Sequence, residues 1–138
     1  MSDFSFDPRL EDDSIPVADL PLCAVRLMRD ANYPWVLMIP RQAGLVEIID
    51  LAPEDRLQLM EEIATVSAAL KQVTGCDKLN VGALGNMVPQ LHVHVIARFK
   101  GDAAWPGPVW GVKPATAYED GTAEELIVAL RARLGQPA

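Results

Sequence analysis

The chain predicts an α+β domain in which an antiparallel sheet of about five strands packs on one main helix, followed by an irregular C-terminal segment and a second helix. Three observations carry that reading. Short apolar runs of period two flank one long segment of helical period. The runs come in pairs joined by brief turn-rich connections, the pattern of antiparallel hairpins. At 138 residues, 50% of them hydrophobic, the chain is long enough for one domain with an ordinary core.

Residues 1–22 are acidic and contain Pro8, Pro16 and Pro21, so they read as an N-terminal arm with one short helical turn around Leu10 to Asp13. Core structure is expected from Cys23 to residue 100, with residues 101–138 packed on the same domain. Cys23 to Arg29 alternates as a strand, with Arg26 emerging at an edge. The turn Asp30-Ala31-Asn32-Tyr33-Pro34 leads into a second strand, Trp35 to Ile39, which Pro40 stops. Leu45 to Ile49 adds a short extended piece.

From Pro53 to Val73 the positions Leu57, Met60, Ile63, Ala64, Ser67, Leu70 and Val73 recur every three or four residues, and this is the main helix. Pro53 suits its first turn, Glu54 and Asp55 favour its positive dipole end, and Gly75 stops it. Strands follow at Lys78 to Ala83 and Gln90 to Phe99, joined by the glycine-bearing turn 84–89. Leu91, Val93 and Val95 are expected to face the helix. Residues 101–121 are rich in Gly, Pro and Trp and read as irregular; Trp105 and Trp110 suit packing, a dimer contact or a base pocket. Thr122 to Glu125 resembles a capping box opening a final helix to Leu134.

A net charge of −7, with no compensating run of Lys and Arg, argues against a nucleic-acid backbone or an anionic membrane as partner. Any anionic ligand must then be met by local cations such as Arg41, Arg98 or Lys100. Cys23 and Cys76 lie in apolar patterns without CxxC spacing and read as reduced core thiols. The first residues lack the basic and apolar regions of a secretory leader, so a soluble, cytoplasmic protein is expected.

Histidine occurs twice in the chain, at 92 and 94, and strict alternation places Gln90, His92, His94 and Ile96 on one strand face. At a strand rise of about 3.3 Å per residue the two histidine Cα atoms lie about 6.6 Å apart, close enough to address one group. Three readings compete. The pair is two ordinary surface histidines; or two metal ligands, for which no third ligand is signalled; or a phosphate-directed catalytic pair. Neutral imidazole, with an ordinary pKa near 6.5, attacks phosphorus without prior deprotonation, and a second ring beside it stabilises the transferring charge.

The run Gln90-Leu91-His92-Val93-His94-Val95-Ile96 resembles the histidine triad signature, His-φ-His-φ-His-φ-φ with φ apolar, at every position but the first, where Gln replaces His. The resemblance extends over residues 22–100. It takes in the hairpin leaving through Ile39-Pro40-Arg41, the helix opening Asp50-Leu51-Ala52-Pro53-Glu54, Asn80 before the glycine turn, and the closing Ala97-Arg98.

By this resemblance the protein is a nucleotide hydrolase or nucleotidyl transferase acting on a phosphoanhydride or phosphoramidate, with a dinucleoside polyphosphate among the candidates. His92 attacks the α-phosphate, oriented through the backbone carbonyl of Gln90, and His94 contacts the same phosphate. Asn80, Gly85 and Asn86 fall where the family binds phosphate and leaving group, Asp30 near its ribose-binding residue, and Arg98 stands as a phosphate-side cation or a surface ion pair. A homodimer is implied. No metal site and no cofactor are expected, apart from Mg²⁺ accompanying a polyphosphate substrate. Gln90 cannot shuttle a proton, and Met87 stands where many members carry Ser or Thr. Both departures predict slow turnover or restriction to good leaving groups, with a purine nucleotide-binding module of little catalysis as the alternative.

Overall fold

In the computed structural model, which describes residues 3–135, five strands form one antiparallel sheet in the order β1-β2-β3-β5-β4. The elements are α1 (Pro8–Asp12), β1 (Ser14–Asp19), β2 (Cys23–Met28), β3 (Trp35–Pro40), a 3-10 turn (Ile48–Asp50), α2 (Pro53–Thr74), β4 (Lys78–Gly82), β5 (Val93–Arg98) and α3 (Thr122–Arg133). Among the described residues, no helix is long and apolar enough to cross a membrane. Of the expected arm and tail, residues 1–2 and 136–138 lie outside the described residues.

The number of strands agrees with the expectation, but one of the five is a different segment. Residues 14–19, expected within the arm, form a strand that pairs with β2 from Ser14↔Met28 to Asp19↔Ala24, with a shift in register between Pro16 and Ala18. Pro16 is compatible with that role because β1 is an edge strand, where a missing N–H leaves no ladder bond unmade. Leu45 to Ile49, expected to be extended, instead ends in the 3-10 turn, whose Asp50 carboxylate accepts from the N–H groups of Val46 and Glu47. With β1 outside it, β2 is an inner strand. Arg26 is therefore buried rather than at an edge; its guanidinium donates to Ser14 Oγ and to the carbonyls of Glu11 and Ser14, under the ring of Phe6.

α2 spans the expected residues, and Gly75 closes it at φ 65°, the left-handed conformation glycine adopts without strain. Its buried face is rotated from the expected one. Leu59, Glu62, Val66, Ala69 and Leu70 are buried, whereas Leu57 and Met60 are exposed. Glu62 is the cause: its carboxylate accepts from the N–H groups of Leu22 and Cys23 and from Gln58, tying the helix to the start of β2. A carboxylate buried among such donors interrupts the apolar pattern from which a helix face is read. Burial, and secondarily the same carboxylate, push the Cys23 thiol upward, and both cysteines are free.

Strand alternation divides the core in two. Val36 and Met38 of β3 with Val93, Val95 and Ala97 of β5 face α2 and α3, as Leu91 does. Trp35, Leu37, Ile39 and Ile96 occupy the opposite face, with Tyr33, Leu10 and Val109. That second face, which carries His94, is covered by the Trp-Pro-Gly segment and by the chain around Phe4 and Phe6. α3 packs on α2 and β1 through Ala123, Ile127 and Leu130. Its N-cap is Gly121, without a side-chain cap bond; Thr122 is the first helical residue and the expected capping box does not form.

Candidate active site

β5 begins at Val93, so Gln90, Leu91 and His92 form the approach to the strand rather than part of it. The bend in that approach brings the His92 ring back over its own backbone, where Nδ1–H donates to the carbonyl of Gln90 at 2.7 Å. A carbonyl only accepts, so the proton of the neutral ring lies on Nδ1 and Nε2 presents a lone pair. His94 has the opposite arrangement. The indole N–H of Trp35, which only donates, reaches His94 Nδ1 at 3.0 Å, so the ring proton lies on Nε2. The two rings meet edge to face, centroids 4.8 Å apart. Burial, and secondarily the neighbouring His92, push the His94 pKa down to about 3. His94 is therefore a neutral hydrogen-bond donor at physiological pH.

The expectation that Gln90 lacks a charged role is met by an observed structural one. Its side-chain Oε1 accepts from Asp7 N–H and its Nε2 donates to the Ser5 carbonyl, both at 2.8 Å, clipping residues 5–7 to the approach to β5. Arg9 continues the contact: it pairs with Asp7 and donates to the Met87 carbonyl at 2.9 Å in the glycine turn. The N-terminal segment is thus tied both to the residue whose carbonyl holds the His92 ring and to the glycine turn.

Two cavities open at His92. One, of about 160 Å³, is lined by Gly85, Asn86, Met87 and Val88 of the turn together with both histidines and Trp110, whose indole N–H is buried without a partner. The other, of about 250 Å³, lies between Val46–Ile49 and Ala83–Gly85. Trp110 stands edge-on to both His94 and Trp35, so the pair of tryptophans fixes the His94 ring.

Gln90, His92, His94, Gly85 and Asn86 are therefore brought together. Asn80, Arg98 and Asp30 line neither cavity. Arg98, 1% exposed, donates twice to Asp102 and once to Asn80 Oδ1, at 2.8–2.9 Å, and lies against Tyr33 and Trp105. It is neither a surface ion pair nor a cation open to phosphate. Arg98 and backbone N–H groups hold Asp102 down at about 2. Asp30 accepts from the N–H groups of Asn32 and Thr116, fastening the 30–34 turn to the C-terminal segment. Its carboxylate orders that turn, 5% exposed and bonded to these two N–H groups.

Sequence reasoning missed Trp35 as the group that sets His94, and Val46, Ile48 and Ile49 as a wall. The Trp35 contact needs strand register: Trp35 pairs with Ile96, which makes it the diagonal neighbour of His94 on the same face. Among the described residues, no group of three or more His, Cys, Asp or Glu side chains is placed to hold a metal ion.

The same fold is found among known proteins. The HIT domain profile matches residues 9–101. The fold superposes on that of a histidine triad protein from Bradyrhizobium japonicum with a TM-score of 0.94 at 54% identity, covering 95% of this chain and 98% of the other. A histidine triad protein from Sinorhizobium meliloti gives 0.93 at 45% identity, covering 96% and 98%, and one from Marinobacter aquaeolei 0.92 at 42%, covering 98% of each. No curated protein sequence matches the chain.

Proposed function

The chain belongs to the histidine triad family, whose members are nucleotide-binding hydrolases and transferases, and from that premise we propose that it cleaves a nucleoside phosphoanhydride or phosphoramidate through a nucleotidyl-His92 intermediate. The observation that carries the reading is the opposite tautomers of the two rings: a lone pair on His92 Nε2 and an N–H on His94 Nε2, 4.8 Å apart between centroids. The lone pair attacks the α-phosphorus while the N–H donates to a phosphate oxygen. The positive charge that forms on His92 is held by the Gln90 carbonyl, which accepts from Nδ1–H throughout. The buried N–H of Trp110 adds an unused donor beside the same cavity.

The same reading includes a purine nucleotide as ligand, Mg²⁺ only as companion to a polyphosphate substrate, and a homodimer, for which the edge strand β4 with its half-exposed Val81 supplies an open margin. The absence of a titrating group at position 90 favours, as second reading, a nucleotide-binding module that turns over little. The test is incubation of wild type and His92→Ala with adenosine and guanosine phosphoramidates and dinucleoside tri- and tetraphosphates, with chromatography of released mononucleotide. Release that disappears in His92→Ala, with a wild-type adduct of nucleotide mass on the peptide containing residue 92, is the expected result. Nucleotide binding with no release from any compound selects the binding module.

A further inference from the structure

We propose that the segment Ser5–Arg9 is a positioning element of the histidine site: through the Gln90 side chain it holds the backbone carbonyl that orients the His92 ring, and its attachment thereby sets the rate of attack at phosphorus. The inference rests on the nucleotidyl-His92 reading and adds to it residues that lie outside the histidine motif.

The need for such an element comes from the stretch of chain it holds. Between the end of β4 at Gly82 and the start of β5 at Val93, residues 83–92 have neither helix nor strand structure, and both the Gln90 carbonyl and the His92 ring belong to that stretch. A residue within a strand takes its direction from the ladder on either side. His94 is such a residue, and Trp35 of the neighbouring β3 fixes its ring. His92 precedes the strand, and its tautomer is set by a carbonyl two residues back. That carbonyl aims the ring only as well as residue 90 is itself held.

The bonds that hold it lead to the N-terminus. Leu91 N–H donates to the Leu45 carbonyl at 3.0 Å. At residue 90 the carboxamide takes the Asp7 N–H and gives its own N–H to the Ser5 carbonyl, and three residues earlier the Met87 carbonyl accepts from Arg9 Nη1. Asp7 joins these two ties. Its N–H goes to Gln90, while its carboxylate accepts from the backbone and guanidinium N–H groups of Arg9 and so aims Nη1 at the turn.

The segment suits the role because its far side is anchored. Asp7 caps α1, whose Leu10 is buried in the second core. Arg26, buried in the inner strand β2, donates to the Glu11 carbonyl and lies 4.9 Å from the centre of the Phe6 ring, which in turn meets Phe4 edge to face. Position is thus passed from the sheet through Phe6 and α1 to residue 90 and on to His92. None of the side chains of residues 5–9 lines the two cavities at His92, so their effect on the reaction runs through the ring. A displacement of a reacting group by about 1 Å can cost about a hundredfold in rate, which is the scale open to such remote contacts.

The test reads the ring itself. Long-range nitrogen–proton NMR and steady-state cleavage of the adenosine and guanosine phosphoramidates are compared for wild type, Gln90→Ala, the double variant Phe6→Ala/Arg9→Ala, and Val66→Ala. Arg9→Ala alone serves as the milder form of the double variant, its side chain being 57% exposed. Val66 packs in the core on the opposite side of the sheet, and its truncation weakens the fold without touching the segment. In Gln90→Ala and the double variant the two His92 nitrogen shifts should converge as the ring samples both tautomers, while those of His94 stay in place because Trp35 still holds that ring. In both, kcat should fall about tenfold or more with KM within about threefold of wild type. Val66→Ala should lower the denaturant midpoint and leave shifts and kcat unchanged.

Wild-type His92 shifts and kcat in the double variant overturn the inference even where Gln90→Ala alters both, since position 90 then acts without the segment. A loss of kcat reproduced by Val66→Ala overturns it as well, as an effect of stability alone. Either result leaves the His92 intermediate standing. Converging His92 shifts in a protein whose wild type releases no mononucleotide overturn that intermediate, while the hold of the segment on the ring stands.

Discussion

The proton on each imidazole is placed by what its neighbour is chemically able to do: the Gln90 carbonyl can only accept, and the Trp35 indole can only donate. For His94 the consequence extends to stability. Its folded pKa, about 3, lies below the ordinary value near 6.5. Between those values the unfolded chain binds the proton and the folded one does not, so the contribution is complete above about pH 6.5 and is lost progressively as pH falls toward 3. Nitrogen-shift NMR should show His94 as a neutral ring bearing its proton on Nε2 from pH 8 down to 5, with denaturant midpoints declining over the lower part of that range. A His94 ring that protonates near 6.5 in the folded protein would contradict the arrangement.

At the level of elements, the rotated face of α2 makes a sharp contrast between two leucines in one helix. Leu59→Ala should cost about 2–5 kcal/mol, the range for truncating a packed leucine, because Leu59 is 2% exposed, whereas Leu57→Ala, at 73% exposure, should fall within about 0.5 kcal/mol. Denaturant melts of the two variants check it, and equal losses would restore the face expected from sequence. The extent of α2 was legible because Pro53 and Gly75 mark both ends chemically. Its orientation was not, because Glu62 lies buried where an apolar residue would have completed the pattern. β2 and β3 were legible from alternation alone. β1 was hidden by Pro16, whose tolerance depends on the strand lying at an edge. The histidines were legible as a pair on local spacing, but the partner of each ring was not equally visible. The Gln90 carbonyl is two residues away in sequence, while Trp35 requires the β3–β5 register. Asn80 and Arg98 look like phosphate contacts in a linear reading and prove to bond one another across β4 and β5.

Across the molecule, the N-terminal segment and the histidine site form one unit. Phe4 and Phe6 pack over the sheet face that carries His94, Gln90 clips residues 5–7, and Arg9 braces the turn at Met87. Gln90→Ala removes both side-chain bonds and leaves the backbone carbonyl in place. It should lower stability by about 1–3 kcal/mol and accelerate amide exchange over residues 5–9 well before the rest of the chain exchanges. Hydrogen exchange read by mass spectrometry tests this, and unchanged protection of that segment would show that the aromatic packing alone holds it. A carboxamide carries its donor and its acceptor on one carbon and so matches a carbonyl and an N–H two residues apart, whereas the nitrogens of an imidazole diverge. A histidine at position 90 would gain a titrating ring by giving up the paired bonds to residues 5 and 7. One side chain cannot serve both ends, and in this chain position 90 is given to fastening the N-terminal segment.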